Sequence, residues 1–136
     1  MVDQAVIFCG GYGRRLLPIT NKIPKPMARI NKKPFLHYLI EQCRTNGIKN
    51  ILLLCGYKKT IIYNYFGNGY KYGVKIKYLY NPPDVQTLKR LIDARQILKK
   101  EFLLLYSDNY SDLNLHQLKK KYDDLKSSFL ITVCKK

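Results

Sequence analysis

Acidic side chains are scarce in this 136-residue chain: nine Asp and Glu stand against twenty-five Lys and Arg, a formal net charge of +16. An excess of that size attracts anions, whether nucleic acid, anionic lipid or small phosphates. Histidine is nearly absent. His37 and His116 have no partners at ligand spacing, so core or surface roles are expected of them rather than metal binding or acid–base work. The four cysteines, Cys9, Cys43, Cys55 and Cys134, show neither C-x-x-C spacing nor the density of a disulfide scaffold, and they read as reduced thiols packed in or beside strands. Long apolar runs are missing as well. Ile51–Cys55 and Phe102–Tyr106 are far too short to span a bilayer, and the N-terminus lacks a basic segment followed by an apolar one, so a cytoplasmic protein without a membrane partner is expected.

What is present alternates between short apolar runs and helix-period stretches, the pattern of an α/β fold with a parallel sheet. Strands are expected at Ala5 to Phe8, Ile51 to Leu54, Val74 to Tyr80 (half exposed), Phe102 to Leu105 (buried) and Phe129 to Val133. A helix opening at Pro34 carries Leu36, Leu39, Ile40 and Cys43 on one face and ends at Gly47; a shorter one turns Ile61, Ile62, Tyr65 and Phe66 inward. A third is expected from Thr87 to about Lys99 with the stripe Leu88, Leu91, Ile92 and Leu98. A fourth starts near Leu113 and directs Leu115, Leu118, Tyr122 and Leu125 to the core. The length suits one domain.

The cations are not evenly spread. Asp3 is the only acid before Glu41, whereas Arg14, Arg15, Lys22, Lys25, Arg29, Lys32 and Lys33 share that stretch. They follow the turn Gly10-Gly11-Tyr12-Gly13, which comes directly after the first strand. Glycines let backbone N–H groups approach phosphate oxygens, and arginine and lysine neutralise the charge, so this segment reads as a polyphosphate site. Pro24 and Pro26 stiffen the path that presents Lys25. The P-loop pattern is not met. The twelve tyrosines form no base-stacking motif, and nucleic acid is not the expected partner.

Residues Gly10 to Pro26 resemble the signature G-G-x-G-T-R-L-x-P-x-T-x-x-x-P-K-P of nucleotidyltransferases that join a nucleoside triphosphate to a sugar 1-phosphate or a similar phosphorylated acceptor. The one fixed position that departs is Arg14, where the family has threonine or serine. The likeness continues in Lys33-Pro34-Phe35-Leu36, Asn46-Gly47-Ile48, Gly56-Tyr57, Gly73-Val74-Lys75-Ile76 and Ser107-Asp108. It implies a Rossmann-like, three-layer fold, a mostly parallel sheet with helices on both faces. It implies further that Gly10, Gly11, Gly13 and Arg14 line the nucleotide, that Arg15 contacts its phosphates, that Lys25 stabilises the reacting phosphate and that Asp108 holds Mg²⁺. Nucleotide-sugar synthesis for a surface polysaccharide is the implied setting. The stretch Pro82 to Arg90 departs from the family's small-residue turn, so Val85 and Gln86 are expected to crowd the base or shift the loop, valine being ill suited to positive φ. The acceptor-binding half is not found, which gives two expectations: a truncated nucleotide-binding part of residues 1–136, completed by a second chain, or a catalytically silent nucleotide-binding or regulatory module.

Overall fold

In the computed structural model, which describes residues 1–133, six strands and four helices alternate: β1 (Gln4–Cys9), β2 (Arg29–Ile30), β3 (Lys33–Pro34), α1 (Phe35–Thr45), β4 (Asn50–Cys55), α2 (Lys59–Phe66), β5 (Lys75–Tyr80), α3 (Thr87–Asp93), β6 (Leu103–Tyr106) and α4 (Leu115–Leu125). Four of the strands form a parallel sheet in the order β5-β4-β1-β6, and β2 pairs with β3 in a small antiparallel ribbon. β1 and β4 are central and almost wholly buried, as their unbroken apolar runs require. Alternate residues serve opposite faces. Ala5, Ile7, Cys9, Ile51 and Leu53 join Leu36, Leu39 and Ile40 of α1 and Ile62 and Phe66 of α2; Val6, Phe8, Leu52 and Leu54 meet Ala94, with Leu91, Leu98 and Phe102 packed beside it. Helices therefore cover both faces of the sheet, as expected.

Local chemistry explains the turns. Behind α1, Gly47 takes φ +84° and the amides of Gly47 and Ile48 donate to the carbonyls of Arg44 and Cys43 at 3.0 and 2.9 Å, a Schellman ending with Ile48 fully buried. Asn46 at that ending accepts the amide of Leu115 at 3.1 Å and so holds the start of α4, whose own cap is Asn114, accepting from the Gln117 amide. Among the described residues no helix is long and apolar enough to cross a membrane.

Several expectations are corrected. α3 stops at Asp93 rather than near Lys99, because the chain bends back to β1: buried Gln4 donates to the Ile97 carbonyl at 3.0 Å and accepts from the Lys99 amide at 2.7 Å. Leu88 and Ile92 are exposed; Arg90 and Ala94 take the inward face instead. β6 is an edge strand rather than a buried one, with Leu104 and Tyr106 exposed, since β1 is its only partner among the described residues. Residues 129–133 form no strand, and Phe129, Ile131 and Val133 face solvent. Leu125 is exposed. Cys134 lies outside the described residues.

Candidate functional site

The carboxyl ends of β1 and β6 open into a cleft of about 460 Å³, and all seven residues singled out in the sequence, Gly10, Gly11, Gly13, Arg14, Arg15, Lys25 and Asp108, line it. The glycines have separate reasons. Gly13 sits at φ +66°, and a Cβ there would lie 2.8 Å from Cβ of Lys25 and 3.0 Å from Cγ2 of Thr20. At Gly11 nothing comes within 4 Å of a Cβ, which leaves that side of the turn free for a ligand. Gly10 is packed from below by Arg90. The turn is held by its neighbours: Thr20, only 2% exposed, donates its hydroxyl to the Gly13 carbonyl at 3.1 Å, and the Tyr57 hydroxyl donates to the Thr20 carbonyl at 3.0 Å.

Arg14 and Arg15 begin a short 3₁₀ turn (Arg14–Leu16) and both are exposed; the Arg14 guanidinium lies over the Tyr12 ring, 5.2 Å from its centroid. Lys25 leaves a segment whose flanking Pro24 and Pro26 are buried, and its Nζ donates to Oδ2 of Asp108 at 2.7 Å. Eighty-three residues of sequence separation are closed by that contact, which puts the carboxylate of β6's end beside the cations of the first loop. With both side chains about one-third exposed, the pair contributes at most about 1 kcal/mol to folding and separates readily.

Sequence reading missed Arg90. Its side chain is 3% exposed and donates to six backbone carbonyls, those of Gly10, Cys55, Asn81, Pro82, Pro83 and Val85, at 2.7 to 3.4 Å. Burial lowers its pKa from the ordinary arginine value, Asp84 and others opposing, yet a guanidinium so placed stays charged. A Cβ on Gly10 would stand 2.2 Å from Nη1 and 2.4 Å from Cζ of Arg90, and one on Gly56 would stand 2.4 Å from the Gly10 carbonyl oxygen. Arg90 thus ties the glycine turn, the end of β4 and the proline loop together, and lends the cleft floor a positive charge. The sequence pattern gives no hint of it, because Arg90 lies off the expected stripe of Leu88, Leu91, Ile92 and Leu98. Val85 and Gln86 line the cleft as anticipated, but Val85 is not among the residues with positive φ, so that expected strain is absent.

Asp108 is the sole carboxylate among the cleft-lining residues, and the described residues hold no cluster of three or more His, Cys, Asp or Glu. That donor set suits a hard cation such as magnesium, which binds through one or two carboxylates together with substrate phosphates rather than in a cage of protein ligands. Cys9, the thiol that lines the cleft, is not poised as a nucleophile, since burial, with Cys55 close by, pushes it well up; burial also raises Cys43 and Cys55, which do not line the cleft, to about 12.

Comparison with known proteins agrees with this geometry. The chain is 40% identical over 116 residues to a D-glycero-alpha-D-manno-heptose 1-phosphate guanylyltransferase of Campylobacter jejuni, covering 85% of this chain and 52% of that protein. It is 30% identical over 131 residues to the protein of the same name from Aneurinibacillus thermoaerophilus, covering 96% and 56%. The solved structure of HddC from Yersinia pseudotuberculosis superimposes with a TM-score of 0.80 at 27% identity, over 90% of this chain and 55% of that one. The chain spans about half the length of the curated relatives it matches. Residues 4–136 match the family described as Nucleotidyl transferase, and the chain belongs to that family.

Proposed function

We propose that this chain is the nucleotide-binding part of a sugar-1-phosphate nucleotidyltransferase, working in the cytoplasm on a precursor of surface polysaccharide. What carries the reading is the convergence of the glycine turn, Arg15, Lys25 and Asp108 on one cleft, with Lys25 and Asp108 in direct contact. Amides of the turn at Gly10, Gly11 and Gly13 would face the nucleotide, and Arg14 and Arg15 would meet the triphosphate from the solvent side. Lys25, drawn off Asp108 by the phosphates, would neutralise charge on the phosphate under attack. An acceptor phosphate oxygen attacks the α-phosphorus in line and pyrophosphate leaves; catalysis is positioning and charge neutralisation. Asp108 would hold magnesium, which when bound screens the phosphate charge. The acceptor site would be completed by a further polypeptide segment or a second chain, the relatives being about twice the matched length. Because the relative at 40% identity is named as a heptose 1-phosphate guanylyltransferase, GTP is the first nucleotide to try.

Calorimetric titration of GTP, CTP, UTP and ATP, with and without magnesium, tests this against Arg15→Ala, Lys25→Ala and Asp108→Asn. Loss of binding of tenfold or more in Arg15→Ala or Lys25→Ala, together with loss of the magnesium-dependent gain in Asp108→Asn, is expected. Equal binding by all four proteins refutes the assignment.

A further inference from the structure

A second cavity, of about 400 Å³, lies along α1 against the turn Tyr70–Gly73 and shares no lining residue with the cleft above. Its wall carries Lys33, Arg44 and Lys71 against one carboxylate, Glu41. Lys33 and Lys71 form no ion pair among the described residues, and Glu41 reaches Arg44 only at 4.0 Å. Arg44 is seated by shape: Gly73 at φ +71° leaves its Cδ 3.0 Å from where a Cβ would stand, so the arginine stem lies on the turn. Between these cations sits His37, whose side chain is 15% exposed. Neither imidazole nitrogen is hydrogen-bonded: Nδ1 is buried without a partner, and Nε2 is 3.9 Å from Glu41. Tyr38 and Tyr72 meet the ring edge-on at 5.9 and 5.6 Å. An imidazole with an unpartnered Nδ1, lining a pocket with three cations and one carboxylate, stands where an anion would find opposite charge on several sides.

We propose that this pocket binds a small phosphate-bearing anion, held by Lys33, Arg44 and Lys71 and contacting the His37 ring. The idea does not rest on the nucleotide reading, since no residue is shared. Its consequence is a linked proton. The titratable and charged groups around His37 are Lys33 from β3, Tyr38, Glu41 and Arg44 from α1, and Lys71 and Tyr72 from the turn. In the ligand-free protein burial first and Lys33 second keep the imidazole below its ordinary pKa, with Glu41 opposing. An entering anion adds the opposite charge and favours the imidazolium.

Proton NMR of the His37 ring, with exposed His116 as internal reference, reads this directly in the whole chain. Inorganic phosphate added at ionic strength held constant with sodium chloride is expected to raise the His37 midpoint by about one pH unit in a saturable way. Lys71→Ala and Arg44→Gln, made separately so that a folding defect in either leaves the other, are expected to abolish the response. Arg15→Ala, which weakens the first cleft, is expected to leave it intact. Pyrophosphate and a hexose phosphate then size the ligand. A midpoint that does not move, a chloride effect of equal size, a response lost with Arg15→Ala, or one that survives both pocket substitutions overturns the proposal.

Discussion

Arg90 and Gly10 should behave as one unit. Replacing Arg90 by methionine keeps the buried stem and deletes the whole guanidinium; six carbonyls lose that donor, of which those of Gly10, Cys55 and Pro82 keep the backbone amides of Tyr57, Asn81 and Val85. The guanidinium has five N–H groups to share among the six carbonyls, and at about 1.5 kcal/mol for each hydrogen bond to a charged group they sum to roughly 7 kcal/mol. Against that stands the desolvation of a guanidinium with no carboxylate hydrogen-bonded to it, several kcal/mol, and the exposed Pro82 end of the loop regains water once the side chain is gone. The balance is a loss of about 3 kcal/mol, or a fall in melting temperature of roughly 10 °C for a domain of this size. Gly10→Ala introduces a methyl whose three nearest neighbours are all Arg90 guanidinium atoms, at 2.2, 2.4 and 2.8 Å. Its cost is therefore the cost of dislodging that group, about 2 kcal/mol. In the Arg90→Met background those atoms no longer exist, and the double variant should be hardly less stable than Arg90→Met alone. Urea unfolding of the four proteins gives the coupling, expected at about 2 kcal/mol. Additive losses would show that the Gly10 requirement has another source.

Burial of Cys43 and Cys55 makes stability fall in alkali: with both thiols raised to about 12, their contribution is complete below about pH 8.5, where the unfolded thiols are still protonated, and is lost as pH rises toward 12, by up to about 1.4 kcal/mol per pH unit for each. Urea midpoints at pH 8, 9 and 10 should show this decline, shallower in Cys43→Ala; an unchanged slope in that variant refutes the account. The open edge of β6, with Leu104 38% exposed, should drive concentration-dependent association visible by sedimentation, and Leu104→Lys should suppress it. A wild-type chain that stays monomeric at high concentration refutes this.

Periodicity located the strands of the sheet and α1 to within a residue or two because buried apolar runs and the Gly47 ending leave few alternatives. It failed where one side chain overrides the pattern. Leu88 and Ile92 share a helical stripe with Leu91, yet the space beneath α3 is filled by Arg90, whose six carbonyl partners come from three separate segments, two loops and the end of β4, that no local spacing can display. β6 looked buried because its composition is that of a central strand; its edge position depends on sheet order, which one strand's sequence does not encode. The first loop was legible for the opposite reason. Its spacing is local, with Gly13 answering to the nearby Thr20 and Lys25, although Gly10 answers to the distant Arg90. The Lys25–Asp108 contact joins that loop to a distant strand; the family likeness implied that both residues serve one site, where spacing alone did not, and neither foresaw the direct contact.

That contact has a thermodynamic corollary. A lysine and an aspartate that cancel one another withhold the groove-lining carboxylate from stray divalent ions and one of the groove's cations from stray anions, which leaves Arg14 and Arg15 to meet an anion first. Whichever visitor arrives first must part the two; the other then finds its own counter-charge already bared. Under the proposed reading, triphosphate and cation would load with positive heterotropic cooperativity, each tightening the other by the same factor.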